Sequence, residues 1–274
     1  MSHSPRHRWQ AAALNLGVVV ALLFSLSFLP PDTSLADREK SGVLKLCVPS
    51  SFPPLVTNEP ASPGYDIELS QAVAAALNLK LSINVLPSIG QDYNPRNWFL
   101  TRAQCDMVGG GVADTVQTRS FMQTIPTQAR TGWIGISSTG TMPPAGSAVA
   151  VLPGTSGLSR VALSTWLRQQ KLRAVLVRNP NELNQALSSG TVAAGITERF
   201  LAAGMALDTT QFSEFWLEAP DFASYPMALG LWKGDQTLKR AVETAVSRLE
   251  ASGTLESLRD KYGVNAELQA RGTP

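Results

Sequence analysis

Short apolar segments alternate along this chain with longer segments of helical periodicity. In 65–78, Ile67, Val73, Ala74 and Leu77 recur at the spacing that places them on one face of a helix. Strands are predicted at 44–48, 81–86, 107–110, 131–137, 148–152, 174–177, 192–196 and 227–232. Helices are predicted at 65–78, 95–103, 156–169 and 181–188, after Thr197, and around 238–249 and 255–261. This alternation is typical of α/β folds with right-handed crossovers and mostly parallel sheets.

A connection rich in proline and glycine at 139–146 separates two such α/β units. Open α/β sheets bind ligands in the crevice outside the carboxyl ends of their strands. Two units of this kind therefore predict two lobes with a ligand cleft between them.

The N-terminus has the layout of a secretory signal peptide. Basic residues precede an apolar run at 11–29, two prolines break the run, and small residues follow at Ser34 and Ala36. We therefore predict a signal peptide at 1–36, with cleavage after Ala36, and export to the periplasm. Because the apolar run is long for a signal peptide, a retained transmembrane anchor is the competing interpretation.

Charge and composition argue against several classes of function. The formal net charge is +2 at pH 7, which provides no electrostatic footprint for nucleic acid. Both histidines, His3 and His7, lie in the predicted signal peptide, so the exported chain would have none for a Ser-His-Asp triad or a histidine-ligated metal. No dinucleotide-binding or phosphate-binding glycine fingerprint is present. We predict a binding protein without cofactor or metal, and acid–base chemistry by carboxylates alone stays open.

Residues 106–119 contain the most informative local pattern. A short apolar strand runs into Gly109, Gly110 and Gly111, and a helix start with Arg119 follows. Glycines let a ligand approach the backbone, the first helical turn offers unpaired N–H groups, and a guanidinium can bind a carboxylate through two parallel hydrogen bonds. The pattern predicts a carboxylate-binding cradle. The alternative is a tight strand–helix connection with a surface arginine.

The chain has two cysteines, Cys47 and Cys105, and an exported chain with two cysteines suggests a disulfide. Cys47 lies late in its predicted strand, whereas Cys105 lies just before another strand. If these strands are parallel neighbours in simple register, the Cα atoms are more than the roughly 7 Å apart that a disulfide tolerates. A slanted register or a bulge would close that gap, and two buried free thiols are the alternative.

Six short motifs occur in a fixed order along the chain. They are Phe52-Pro53-Pro54-Leu55, Gly64-Tyr65-Asp66-Ile67-Glu68-Leu69, the segment 106–119, Gly154-Thr155-Ser156-Gly157, the segment 187–198, and Gly253-Thr254-Leu255 followed by Lys261-Tyr262-Gly263. In this order they resemble the family 3 bacterial periplasmic solute-binding proteins, the amino-acid receptors of ABC importers. The resemblance implies a two-lobed periplasmic-binding-protein-like fold of type II. It implies that lobe one contains 37–130 and 226–274, and that lobe two contains 131–225.

The resemblance also implies how a carboxylate is bound. Arg119 would take the α-carboxylate of the ligand, helped by backbone N–H groups near 112–114 and by the helix opening at Thr155 and Ser156. Asp114 departs from the family pattern, since a serine or threonine is common there. An anion at this position opposes a carboxylate unless it is paired with Arg119 or with an ammonium group of the ligand.

Two further ligand contacts follow from the resemblance. Glu198 stands where the family usually has an aspartate for the α-ammonium, and Phe52 matches an aromatic residue that stacks on the ligand. A helix cap for Glu198 and an ordinary core position for Phe52 are the alternatives. Pro49 replaces a frequent aspartate, and the segment 88–95 is longer than the usual connection and is expected to line the cleft.

The function implied is capture of a small carboxylate-bearing ligand, an amino acid, for the membrane permease of an ABC importer, by a periplasmic monomer. Two other functions stay open. A periplasmic dehydratase similar to cyclohexadienyl dehydratases would need Glu198 or Asp114 as its general acid. Cys47 and Gln104-Cys105-Asp106 also resemble members associated with periplasmic quinoprotein dehydrogenases, which implies an interaction partner with a poor or empty cleft.

Overall fold

A computed structural model describes residues 5–26, 31–90, 92, 94–153, 158–205, 207–217 and 224–264. The chain separates into two compact units, Met1–Thr33 and Ser34–Pro274. The first unit contains helix α1 (Pro5–Leu26). None of the helices in the described part has the length and apolar character needed to cross a membrane.

The second unit begins with α2 (Ser34–Ser41) and builds a first five-stranded sheet in the order β2-β1-β3-β10-β4. Strands β1 and β2 are parallel, as are β1 and β3, whereas β10 runs antiparallel to both β3 and β4. The strands are β1 (Val43–Val48), β2 (Lys80–Val85), β3 (Met107–Val108), β4 (Met122–Thr131) and β10 (Tyr225–Trp232). The helices beside this sheet are α3 (Tyr65–Ala76), α4 (Val116–Phe121), α8 (Gln236–Ala251) and α9 (Thr254–Tyr262), with a 3-10 turn at Pro95–Trp98.

A second five-stranded sheet has the order β7-β6-β8-β5-β9. Strand β6 is parallel to β7 and β8, and β5 is antiparallel to β8 and β9. Its elements are β5 (Trp133–Ser137), β6 (Ala148–Val151), α5 (Arg160–Gln169), β7 (Arg173–Leu176), α6 (Pro180–Ser188), β8 (Ala194–Glu198), α7 (Arg199–Ala203) and β9 (Ser213–Trp216). The carboxyl ends of β6, β7 and β8 therefore meet at one edge, as expected for a ligand-facing edge of an α/β lobe.

The chain passes between the sheets twice. The first crossing runs from β4 through Gly132 into β5, and the return leads from β9 to β10. Strand β10 lies between β3 and β4, and α8 packs on α3 and α9, so the C-terminal elements belong to the first sheet. Two crossings of this kind make the hinge of a two-lobed fold.

No strand was predicted over most of β4. Only its last residue, Thr131, fell within a predicted strand. The buried side chains of β4 do alternate, at Ile125, Thr127, Ala129 and Thr131. Two of these are threonines, and the hydroxyl of Thr127 donates to the Met227 carbonyl at 3.2 Å. Because a polar residue that is satisfied by a neighbouring strand can be buried, apolar periodicity alone misses this strand.

The two cysteines form a disulfide in this structure, with Cα atoms 5.4 Å apart. Simple register would place Cys47 opposite Val108, three residues beyond Cys105. A turn at 102–104 ends at Cys105, where the chain has not yet joined β3. That turn brings the two Cα atoms together within the range a disulfide needs.

Candidate functional site

The glycine segment after β3 makes contacts inside the protein. Gly110 and Gly111 have φ values of +76° and +108°, which favour glycine. The Gly110 N–H donates to Oδ2 of Asp66 at 2.6 Å, and a Cβ on Gly110 would lie 2.4 Å from Cδ of Pro49. The predicted bare backbone is therefore occupied at Gly110 by an internal carboxylate, which corrects the expectation that a ligand approaches it there.

Asp66 is a buried acid at the first turn of α3, with only 1% of its surface exposed. Burial raises the pKa of its carboxyl to about 7, although the N–H groups of Gly110 and Gly111 act in the opposite direction. Asp66 belongs to the motif that begins at Gly64, but no role was predicted for it. The sequence feature that could have indicated its role is an acid directly after Gly64-Tyr65, at the start of a helix with an apolar face.

Phe52 packs in the core of the first lobe and is 8% exposed. Its ring lies against Gly111, where an added Cβ would be 3.3 Å from Cε1 of the ring. The core position, one of the two interpretations of this residue, describes its packing. A ligand-stacking role for Phe52 stays a prediction.

Residues 112–114 extend along the beginning of β10. The Ala228 N–H donates to the Val112 carbonyl and the Asp114 N–H donates to the Pro226 carbonyl, each at 2.8 Å. Of the N–H groups near 112–114 that were expected to help bind a carboxylate, that of Asp114 already donates to a carbonyl 112 residues further along the chain, and a role for the others stays a prediction.

Arg119 and Asp114 form an ion pair at the start of α4. Nη1 of Arg119 lies 2.8 Å from Oδ1 of Asp114 and 3.1 Å from its carbonyl oxygen, and the Thr124 hydroxyl donates to the same Oδ1 at 2.6 Å. The Arg119 side chain is 51% exposed, whereas that of Asp114 is 14% exposed. Within the part of the chain that the structure describes, Nε and Nη2 of Arg119 and Oδ2 of Asp114 make no hydrogen bond, so both charges keep binding capacity.

The cap of α4 fixes the position of Arg119. Thr115 is the N-cap, since its hydroxyl accepts from the Thr118 N–H at 3.1 Å. Arg119 follows this cap by four residues, and its Nη1 reaches back to the side chain and the carbonyl of Asp114, the residue directly before the cap.

Glu198 ends β8 and is the N-cap of α7. Its Oε2 accepts from the Leu201 N–H at 2.9 Å, and its Oε1 accepts from the hydroxyl of Thr131, the last residue of β4. The residue is 0% exposed, and burial raises the pKa of its carboxyl to about 7 against the opposing effects of backbone N–H groups and Arg199. Glu198 thus has the cap geometry named as its alternative, and it joins the edge of the second sheet to the first crossing.

Thr155 and Ser156 lie outside the described residues. The helix predicted at 156–169 begins at Arg160, with Ser159 as its N-cap at 3.1 Å from the Ala162 N–H. No group of three or more histidine, cysteine, aspartate or glutamate side chains arranged for a metal ion occurs in the described ranges.

The fold thus places Asp114 beside Arg119 and Phe52 against Gly111. Glu198, in contrast, is buried at the hinge. A model of the bacterial extracellular solute-binding proteins of family 3 matches residues 44–265. The chain belongs to that family. No curated protein sequence matches it.

Several solved structures of amino-acid-binding proteins share the fold. A substrate-binding protein of an ABC uptake transporter from Streptococcus pneumoniae, with bound histidine, has a TM-score of 0.63, 16% identity, and covers 88% of this chain and 99% of its own. An ancestral arginine-binding protein bound to arginine has a TM-score of 0.61 and 19% identity, covering 81% and 98%. An ancestral amino-acid-binding protein described as a precursor of cyclohexadienyl dehydratase has a TM-score of 0.59 and 18% identity, covering 84% and 98%. These similarities confirm the two-lobed type II fold.

Proposed function

We propose that this protein is a periplasmic receptor that captures an amino acid and delivers it to the membrane permease of an ABC importer. Membership of the solute-binding family is the observation that carries the proposal. The solved relatives that bind histidine and arginine support an amino acid as the ligand class.

In this proposal the Asp114–Arg119 pair is the polar anchor of the ligand. A zwitterionic ligand would place its carboxylate on the outer N–H groups of Arg119 and its ammonium on Oδ2 of Asp114. The Thr124 hydroxyl already donates to the Asp114 side chain, and the Arg119 guanidinium already donates to the Asp114 carbonyl. Little side-chain entropy is therefore lost on binding. Glu198 is an unsuitable partner for the ammonium because it is fully buried and both of its oxygens accept hydrogen bonds.

The lobes of this proposal are 37–130 with 226–274, and 131–225. Thr155 and Ser156, on the second lobe, would reach the ligand carboxylate when the lobes close. A ligand that contacts both lobes binds the closed form more tightly, and this difference in affinity shifts the equilibrium towards closure. The two crossings between the sheets are the hinge about which the lobes would move.

A thermal-shift screen of amino acids followed by calorimetry tests the proposal. At least one amino acid should raise the melting temperature of the wild type, and Arg119→Ala should weaken its binding. Arg102→Ala is the matched control, since Arg102 is also a half-exposed arginine, 2.5 Å from Asp235 in an ion pair. Equal binding by both variants would show that Arg119 does not hold the ligand, and a screen without any hit would argue against an amino-acid receptor.

Dehydration of a cyclohexadienyl substrate is the second candidate function. The observation that favours it is the carboxyl of Glu198, whose pKa of about 7 suits a general acid near neutral pH. In this elimination the ring carboxylate leaves as carbon dioxide, its electron pair aromatises the ring and expels the hydroxyl, and the proton of Glu198 would turn that hydroxyl into water. Glu198 would therefore have to exchange its hydrogen bond with Thr131 for one with the substrate. Incubation with prephenate or arogenate tests this function, and absence of turnover would exclude it.

A further inference from the structure

A cavity of about 260 Å³ lies beside α7, away from the Asp114–Arg119 pair. Pro53 and Pro54, which follow β1, and Tyr262 of α9 form one wall. The opposite wall comes from the second lobe, where Met205 and Leu207 supply apolar surface. Its volume is just below the roughly 300–1,000 Å³ of pockets for drug-sized ligands, which suits a smaller molecule.

Two charged side chains, Arg199 and Glu214, also line the cavity. Glu214 and Trp216 are two residues apart in β9 and therefore share one face of the sheet. The guanidinium of Arg199 lies on that face, 5.7 Å from the centre of the Trp216 ring and 4.9 Å from that of Phe200. Arg199 is 5% exposed, and its Nη1 donates to the Arg130 carbonyl at 2.6 Å.

Glu214 differs from Arg199 and Glu198 because its carboxylate makes no hydrogen bond and no ion pair with any of the described residues. Burial raises the pKa of Glu214, and the charge of Arg199 offsets this only in part. Glu198, directly before Arg199, has both oxygens occupied by Thr131 and Leu201. Among the described residues, the charge of Arg199 thus acts on two carboxyl groups, and of these only the Glu214 carboxyl makes no hydrogen bond there.

We infer that this cavity binds a small organic cation, an ammonium or guanidinium group, whose charge meets the carboxylate of Glu214. A cation there would compensate the charge of the Glu214 carboxylate, and it would supply hydrogen bonds to a group that is partly removed from water. The carbon skeleton of the ligand would pack on Pro53, Pro54 and the ring of Tyr262. This is a second site, independent of the proposed amino-acid site at Arg119.

Agmatine and n-butylamine are suitable probes because they have a cationic group and no carboxylate, and n-butanol is the neutral control. Both cations should raise the melting temperature and give saturable heats in calorimetry at neutral pH, whereas butanol should not. Glu214→Gln should weaken their binding by about tenfold or more, since an amide keeps the shape of the side chain and removes its charge. Glu214→Gln should also raise stability without ligand, because it removes a charge that burial disfavours.

Ala203 lines the cavity from an exposed position, so Ala203→Phe should fill the cavity without disturbing the fold and should also abolish binding. Glu243→Gln, at a glutamate of α8 paired with Lys239, is the control and should bind as the wild type does. The inference is overturned if neither cation binds saturably, or if both bind equally well to Glu214→Gln and Ala203→Phe. Arg119→Ala should leave agmatine binding unchanged, which separates this result from the outcome of the amino-acid screen.

Discussion

The buried carboxyl of Glu198 predicts a pH-dependent stability that Glu198→Gln should remove. Its pKa rises from 4.5 in the unfolded chain to about 7 in the folded protein, mainly through burial. Between these two values the folded state binds more protons than the unfolded state, so the free energy of unfolding falls as pH rises. The contribution is therefore complete below pH 4.5 and is lost as pH rises through about 7.

The size of this effect follows from the shift. A difference of 7 − 4.5 = 2.5 pKa units corresponds to on the order of 3 kcal/mol, at about 1.4 kcal/mol for each unit. Glutamine can still accept from the Leu201 N–H, so the variant should resemble the wild type most closely in acid. Relative to the wild type, its free energy of unfolding should therefore increase between pH 5 and pH 8 by an amount of this order.

Urea unfolding at a series of pH values measures the difference. Glu68→Gln is an informative control because the pKa of Glu68 is shifted in the opposite direction: burial raises it, but hydrogen bonds from Lys261 and Tyr262 lower it overall. The stability that the ionised Glu68 contributes is present at neutral pH and lost in acid. Glu68→Gln should therefore differ most from the wild type at neutral pH. A Glu198→Gln difference that stays constant within about 0.5 kcal/mol across this range would refute the assignment of a raised pKa.

Three further predictions concern single features. Arg119→Ala should cost about 1.5–3 kcal/mol of binding free energy for a carboxylate ligand, and Arg119→Lys should recover part of this, which titration calorimetry would measure. Removal of the disulfide by Cys47→Ala with Cys105→Ala should cost about 4 kcal/mol of unfolding free energy, because the disulfide closes a loop with a sequence separation of 58. This prediction would be contradicted if the reduced and the oxidised wild type unfolded at the same urea concentration. Gly110→Ala should lower stability more than Gly42→Ala. Both glycines have positive φ, but an added Cβ meets atoms at 2.4 Å and 2.7 Å only at Gly110. Equal melting temperatures of the two variants would exclude that clash.

Much of the fold could be predicted from the order of local patterns. Short apolar segments located β1, β2, β6 and β10 to within one or two residues, and β6 and β10 are apolar along their length because most of their side chains are buried. Local pattern located α3, α6, α8 and α9 for the same reason at helical period. Strand β9 was missed because its glutamate and aromatic residues carry no simple alternation.

The sequence also determined which residue types are available for binding. The glycines after β3, the arginine on α4 and the acid at the end of β8 were all located by local pattern. The absence of histidine from the predicted mature chain follows from the positions of His3 and His7, whereas the two cysteines left both a disulfide and two free thiols open. These properties depend on neighbours within a few residues, so the chain itself carries the information.

Only the tertiary structure decided what those residues contact. Thr131 lies 67 residues from Glu198, and Asp66 lies 44 residues from Gly110, yet each pair shares a hydrogen bond that no local pattern encodes. The pKa of a buried acid depends on solvent removed by distant segments, so the sequence could name a helix cap as one role of Glu198 but not its complete burial beside Thr131. Sequence spacing places a charge on an element, whereas the packing of the lobes decides whether that charge meets a ligand, water or another part of the chain.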